Sequence, residues 1–167
     1  MKSTLIIAAI AIATPAAAEP YLGARFDSTI GAASGGFEDM KPDFAYGLSA
    51  GVDTGDYRLE AAVERQSAGI SFENFNLTDA SIGLYRDYRL SGDWEVFVGG
   101  GVDYVWLETM YGLQGDDADG FGGHIGAGLA LDRGRGPVWT LGAEYLFGEF
   151  EGYELSAPSV YVGVRLP

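Results

Sequence analysis

The chain has 167 residues, with 24 acids against 10 bases and a formal charge of −14, so nucleic acid and anionic surfaces are poor partners over most of it. It contains no cysteine, which excludes a disulfide framework and a thiolate metal site. Its 26 glycines follow no G-x-y period, which excludes collagen, and fall instead inside segments of alternating polarity.

The first element in chain order is a leader. Lys2 supplies a short positive start, Leu5 to Ala13 is an apolar run, and Ala16-Ala17-Ala18 is a small-residue cleavage site before Glu19. Residues 1–18 are therefore read as a cleaved signal peptide and 19–167 as one domain. Beyond the leader no stretch approaches the roughly 18 to 20 apolar residues that a membrane helix needs. An exported chain without such a helix is either soluble or a closed barrel, because lipid tolerates no unpaired backbone.

Eight segments then alternate with a period of two, the signature of strands. The first, Tyr21 to Ile30, places Leu22, Ala24, Phe26 and Ile30 on one face and Gly23 and Arg25 on the other. The second, Phe44 to Val52, sets Tyr46, Leu48, Ala50 and Val52 against Ala45, Gly47, Ser49 and Gly51. The third, Tyr57 to Gln66, sets Tyr57, Leu59, Ala61 and Val63 against Arg58, Glu60, Ala62 and Glu64. The fourth, Leu77 to Tyr88, sets Ala80, Ile82 and Leu84 against Ser81, Gly83, Tyr85 and Asp87. Arg86 interrupts its apolar row, as a long side chain does when it snorkels from near a membrane interface. The fifth, Trp94 to Trp106, sets Trp94, Val96, Val98, Val102, Tyr104 and Trp106 against Glu95, Phe97, Gly99, Gly101, Asp103 and Val105. The sixth, Phe121 to Leu131, sets Ile125, Ala127, Leu129 and Leu131 against Gly122, His124, Gly126, Gly128 and Ala130. The seventh, Val138 to Phe147, sets Trp139, Leu141, Ala143 and Tyr145 against Thr140, Gly142, Glu144 and Leu146. The last, Ser159 to Leu166, sets Val160, Val162, Val164 and Leu166 against Ser159, Tyr161, Gly163 and Arg165.

The second face is small rather than heavily charged, and that decides the fold class. A soluble barrel turns its apolar face inward and coats the outside with Lys and Glu. A narrow transmembrane barrel turns large apolar residues toward lipid and fills a cramped lumen with tiny or paired polar ones. The chain is thus expected to be all-β, an eight-stranded antiparallel up-and-down transmembrane β-barrel. Short turns at Asp53–Asp56, Leu90–Asp93 and Asp132–Pro137 alternate with four longer connections, as in barrels with short periplasmic turns and longer extracellular loops. Aromatics at strand ends, Tyr21, Tyr46, Tyr57, Tyr88, Trp94, Tyr104, Trp106, Trp139 and Tyr145, fit interfacial girdles.

Three stretches carry a family resemblance: Tyr21-Leu22-Gly23-Ala24-Arg25-Phe26, Phe97-Val98-Gly99-Gly100-Gly101-Val102 and Ser159-Val160-Tyr161-Val162-Gly163-Val164-Arg165. With them the whole mature chain resembles the small eight-stranded outer-membrane barrels of the OmpA transmembrane-domain and OmpX type. The resemblance implies a bacterial outer-membrane location and delivery by the barrel-assembly machinery. Such barrels usually finish on an outward aromatic that this machinery reads, whereas this chain finishes Leu166-Pro167.

The inward charges are Arg25, Arg58 and Arg165 against Glu60, Glu64, Asp87, Glu95, Asp103 and Glu144. Unpaired in a dry interior each is costly, so with His124 they are expected to form a structural polar network. Arg25 is placed to reach Glu60 or Glu144, His124 to pair with Asp103, and Arg58 and Arg165 to sit nearer the periplasmic end. The excess of acids calls for retained protons or bound cations. An eight-stranded bore is just wide enough to be filled by side chains, so a largely plugged lumen is expected, with a small cation-preferring pore as the alternative. A lipid A-modifying enzyme is the second alternative, since some barrels of this size use a His with a Ser and an acid. His124 has no Ser nearby in sequence and faces the lumen, so no catalytic residue is assigned.

Gly115 to Gly120 carries acids but lacks the bidentate Glu of an EF-hand loop, and neither a metal site nor a cofactor is assigned. The long connections hold Glu38, Asp39, Asp43, Glu73, Asp79, Glu108, Asp116, Asp117, Asp119, Glu149, Glu151 and Glu154, with Lys41 as the clear base. They read either as a solvated coat or as carboxylates that Mg²⁺ or Ca²⁺ bridges to lipopolysaccharide phosphates, with outer-membrane lipids as the remaining partners. The expected role is structural or surface-interactive, of the adhesion type, in a monomeric barrel.

Overall fold

The computed structural model describes residues 18–29, 44–70, 73–109, 118–134, 136–150 and 153–167. Residues 1–17 of the leader, Ile30, Lys41, the Gly115-to-Asp117 part of the acidic loop and the acids at 38, 39, 43 and 151 lie outside the described residues. Eight strands are formed: β1 (Glu19–Thr29), β2 (Phe44–Asp53), β3 (Tyr57–Ile70), β4 (Glu73–Ser91), β5 (Trp94–Thr109), β6 (Ala118–Leu131), β7 (Val138–Phe150) and β8 (Tyr153–Leu166). Each pairs antiparallel with the next, and β8 returns to β1 through Leu22–Leu166 to Thr29–Ser159. Closure gives the spanning backbone hydrogen-bond partners on both sides of every strand, the condition for a sheet to sit in lipid.

The register fixes the tilt. From Glu19 the direct partners run Asp53, Arg58, Tyr85, Gly99, Gly126, Glu144 and Ser159, and return to β1 at Thr29, ten residues further along. With a rise of about 3.3 Å per residue and strands about 4.8 Å apart, that offset tilts the strands by about 40° and gives a backbone cylinder about 8 Å in radius. Because the offset is even, a residue that faces inward on one strand meets inward partners all the way round.

The faces are sorted as a membrane barrel requires. Phe121 is 75% exposed, Leu48 71%, and Leu22 and Val102 65%, whereas Phe97 is 0% exposed, Arg165 6% and Glu144 9%. Val98, Leu141 and Val162 likewise point outward. Apolar surface on this scale is stable only against hydrocarbon.

At one end of the barrel the connections are tight. Gly55 donates its N–H to Asp53 Oδ1 at 2.7 Å, Thr54 N–H reaches the Tyr57 carbonyl, and Gly55 takes a φ of 87° that a side chain would resist. Gly134 N–H is held in the same way by Asp132 Oδ1. At the other end the strands outrun the apolar pattern. The β3–β4 ladder continues to Ile70–Glu73 and the β7–β8 ladder to Phe150–Tyr153. Two of the four expected long loops are therefore extended hairpins, and Glu73, Asp79, Glu108, Asp119, Glu149 and Glu154 lie on strands. Apolar periodicity reports where lipid ends; backbone pairing needs only extended residues and carries on past it.

Tyr21 is a second correction. It was counted with the girdle aromatics, but its odd parity turns it into the lumen, where it is 8% exposed. Tyr46, Tyr57, Tyr88, Trp94, Trp139 and Tyr145 do face outward.

Ile82 lies on the outward face of β4, 53% exposed and midway between the rows of Thr78 and Arg86. Ile82→Arg is expected to lower the unfolding free energy in lipid vesicles by roughly 2–4 kcal/mol, read by urea titration of the heat-modifiable gel band.

Candidate functional site: the packed lumen

At the short-turn end the lumen begins with two arginines. Arg165 Nη1 donates to Asp53 Oδ2 at 3.2 Å, and its guanidinium lies 5.6 Å from the Tyr21 ring centre. Arg58 faces Asp87 at 3.8 Å and sits over the rings of Tyr85 and Phe97, at 4.7 and 5.1 Å. Tyr21 donates its hydroxyl to Glu60 Oε2 at 2.6 Å, and Ser49 donates to the same oxygen at 3.3 Å. Glu95 stands apart near the turn, paired with the exposed Arg89 at 3.3 Å.

The middle is aromatic. Phe97 is fully buried, with Tyr85 edge-on at 6.2 Å and Tyr161 tilted at 6.4 Å; Ala130 and Val138 pack alongside. Inward glycines make room for these rings. A Cβ on Gly128 would strike Phe97, one on Gly142 would strike Tyr161, and one on Gly99 would strike Tyr85. In a cylinder this narrow a ring fits only where its cross-strand neighbour has no side chain.

Toward the opposite end Arg25 gathers the acids. It is bidentate to Glu144, at 3.1 and 3.2 Å, forms a close ion pair with Glu64, lies 3.3 Å from Asp27, and stacks 4.9 Å from the Tyr161 ring. Beside it His124 Nδ1 meets Asp103 Oδ1 at 2.8 Å and Nε2 meets the Tyr85 hydroxyl at 2.9 Å. An ionised carboxylate only accepts, so Nδ1 carries a proton and donates it to Asp103. Asp79 is also inward and buried, opposite Glu64 in the β3–β4 register.

Of the ten residues singled out from sequence, Arg25 and Glu144 meet, as do His124 and Asp103, and Arg58 and Asp87. Arg25 does not bond Glu60, whose hydrogen bonds come from Tyr21 and Ser49; its partners are Glu144, Glu64 and Asp27. Asp27, Asp53, Asp79 and Tyr21 were missed as lumen groups. Parity alone places Asp27 two residues after Arg25 on the same face. Asp53 falls in the Asp53–Asp56 turn and carries no parity there, whereas Asp79, named among the loop acids, also lies within Leu77–Tyr88 on the face of Ser81 and Gly83, so its parity already places it inward. That each lumen arginine would rest on an aromatic ring could not be read along the chain, since Arg58 and Phe97 are brought together only by the register of β3, β4 and β5. Among the described residues no three His, Asp or Glu converge closely enough to hold a metal ion.

A closed ring of eight tilted antiparallel strands with a lipid-compatible exterior and inward polar and aromatic side chains defines a small outer-membrane barrel. Residues 3–166 match the family model described as outer membrane protein beta-barrel domain, and the chain belongs to that family. Its place is the bacterial outer membrane. Solved structures show the same fold. Neisserial surface protein A (NspA) superposes with a TM-score of 0.79 at 16% identity, over 89% of this chain and 97% of that one. The N-terminal β-barrel domain of Pseudomonas aeruginosa OprF gives 0.57 at 16% identity, over 87% and 97%. Ail, the attachment invasion locus protein of Yersinia pestis, gives 0.53 at 12% identity, over 89% and 97%. No curated protein matches the sequence significantly.

Removing Arg25 strands Glu144, Glu64 and Asp27 in the bore. Arg25→Met is expected to cost roughly 3–5 kcal/mol in urea unfolding from vesicles, the cost of breaking a buried ion pair. Glu144→Gln keeps a polar partner for the guanidinium and is expected to cost clearly less in the same titration.

Proposed function

We propose that this protein is a structural and surface-interacting barrel with a lumen closed to ions. One observation carries the reading: Phe97, Tyr85 and Tyr161 fill the bore at mid-height, and the guanidinium groups of Arg58 and Arg25 rest on those rings. An ion would have to displace packed aromatics and break ion pairs to pass. The named roles of NspA and Ail, a surface protein and an attachment protein, support an outward-facing task. So does the far end of the barrel, where Asp119 and Glu149 project outward above Phe121 and Phe147. There, with the other acids of that end, Mg²⁺ or Ca²⁺ would bridge carboxylates to lipopolysaccharide phosphates. The mature chain, 19–167 after removal of the 1–18 leader, would be inserted by the barrel-assembly machinery as a monomer.

A catalytic role is disfavoured by the engagement of both ring nitrogens of His124 inside the lumen. Lipid A from cells expressing the protein should therefore keep its mass spectrum unchanged.

Planar-bilayer recording tests the closed lumen. The wild-type barrel is expected to stay at background current, and the Phe97→Ala, Tyr161→Ala double variant to give resolvable steps. Steady cation-selective unitary currents from the wild type would replace this reading with the pore.

A further inference from the structure

Among the described residues Arg86 is a cation with no carboxylate partner. Arg25, Arg58, Arg89 and Arg165 each hold a carboxylate, whereas Arg86 makes no ion pair among the described residues. Its guanidinium lies instead over two tyrosine rings, Tyr57 at 5.3 Å and Tyr88 at 5.0 Å. In a protein with 24 acids, an arginine held between two tyrosine rings with no carboxylate partner among the described residues is informative. The side chain is on the outer surface, exposed between Tyr57 and Tyr88, which are 45% and 44% exposed. All three point where lipid lies.

The depth is set by the register. Tyr57, the direct partner of Arg86, opens β3 immediately after the short Thr54–Asp56 turn, so the group sits at the rim that carries short turns. In barrels of this class that rim is periplasmic. Eight residues up β3, the next outward base is Arg65. With strands tilted about 40°, the two rows are separated by about 20 Å, close to the height of the apolar band of such barrels. Leu59, Val63, Ile82 and Leu84 fill the face between them, all exposed.

We propose that Arg86, Tyr57 and Tyr88 form a binding site for the phosphate of an anionic phospholipid in the periplasmic leaflet. The guanidinium presents a fork of donors that fits a phosphodiester, and the two rings hold it in place while leaving its N–H groups free to donate. The tyrosine hydroxyls, at headgroup height, add further donors. The acyl chains of the bound lipid would lie along Leu84 and Leu59. This site is on the outer wall, and its existence does not depend on whether the lumen conducts.

The test uses the full mature barrel in nanodiscs of equimolar phosphatidylglycerol and phosphatidylcholine, with retained lipids counted by native mass spectrometry. Folding of every variant is checked beforehand by heat-modifiability. The wild type is expected to retain phosphatidylglycerol in preference to phosphatidylcholine, and Arg86→Gln to lower that preference about fivefold, the share expected of one basic side chain at an anionic surface. Arg86→Lys, which keeps the charge, should retain most of the preference, and Arg65→Gln at the opposite rim should leave it unchanged. An undiminished preference in Arg86→Gln overturns the site. An equal loss in Arg86→Gln and Arg65→Gln overturns it too, because the effect would then be one of overall charge.

Discussion

Eight strands offset by ten residues around the ring leave a backbone cylinder about 8 Å in radius, and that width governs everything the chain places inside. Large side chains cannot face one another across so small a bore unless their neighbours are reduced to hydrogen. Gly128 beside Phe97, Gly142 beside Tyr161 and Gly99 beside Tyr85 are the local consequence. The inward glycines are thus a packing property of the lumen, while among the described residues Gly55, Gly92, Gly134 and Gly136 serve turns through a positive φ.

The same narrowness raises the stakes for charge. A buried guanidinium is tolerable when it is paired and hydrogen-bonded, and each lumen arginine meets both a carboxylate and an aromatic face. Arg25 goes furthest, tying β7 to β1 and β3 through Glu144, Asp27 and Glu64 across the interior. These contacts cross the bore and link strands on opposite sides of the wall.

Outside, the requirement is reversed, and the exterior is legible as a vertical sequence. Trp94 and Trp139 open β5 and β7 at the short-turn rim, and Arg86 lies stacked between Tyr57 and Tyr88 there. Aliphatic residues fill the band above, and Tyr104 packs on Trp106 and Phe121 at the other rim, its hydroxyl held by Asp119. The strands then continue beyond that rim as the β3–β4 and β7–β8 hairpins, which lifts the acids of that end away from the lipid.

Most of this architecture is written in one dimension. A period of two needs only neighbouring residues, so strand number, the sorting of faces, the short turns and the class of barrel were all open to a reading of Trp94–Trp106 and its seven counterparts. Parity and approximate height also set His124 beside Asp103 and narrowed the partner of Arg25 to Glu60 or Glu144. The remaining pairings depend on register, which is a property of two strands at once and carries no mark within either. A strand's apolar pattern also falls silent where lipid ends, so the extended hairpins were invisible to it. Alternation along the chain therefore determined the barrel and its inverted faces, because each residue's side is a local matter. Only the closed tertiary structure decided that Glu60 is held by Tyr21, that Arg58 lies on Phe97 and that Arg86 meets two tyrosine rings, because those facts arise from the register that brings distant strands to the same height.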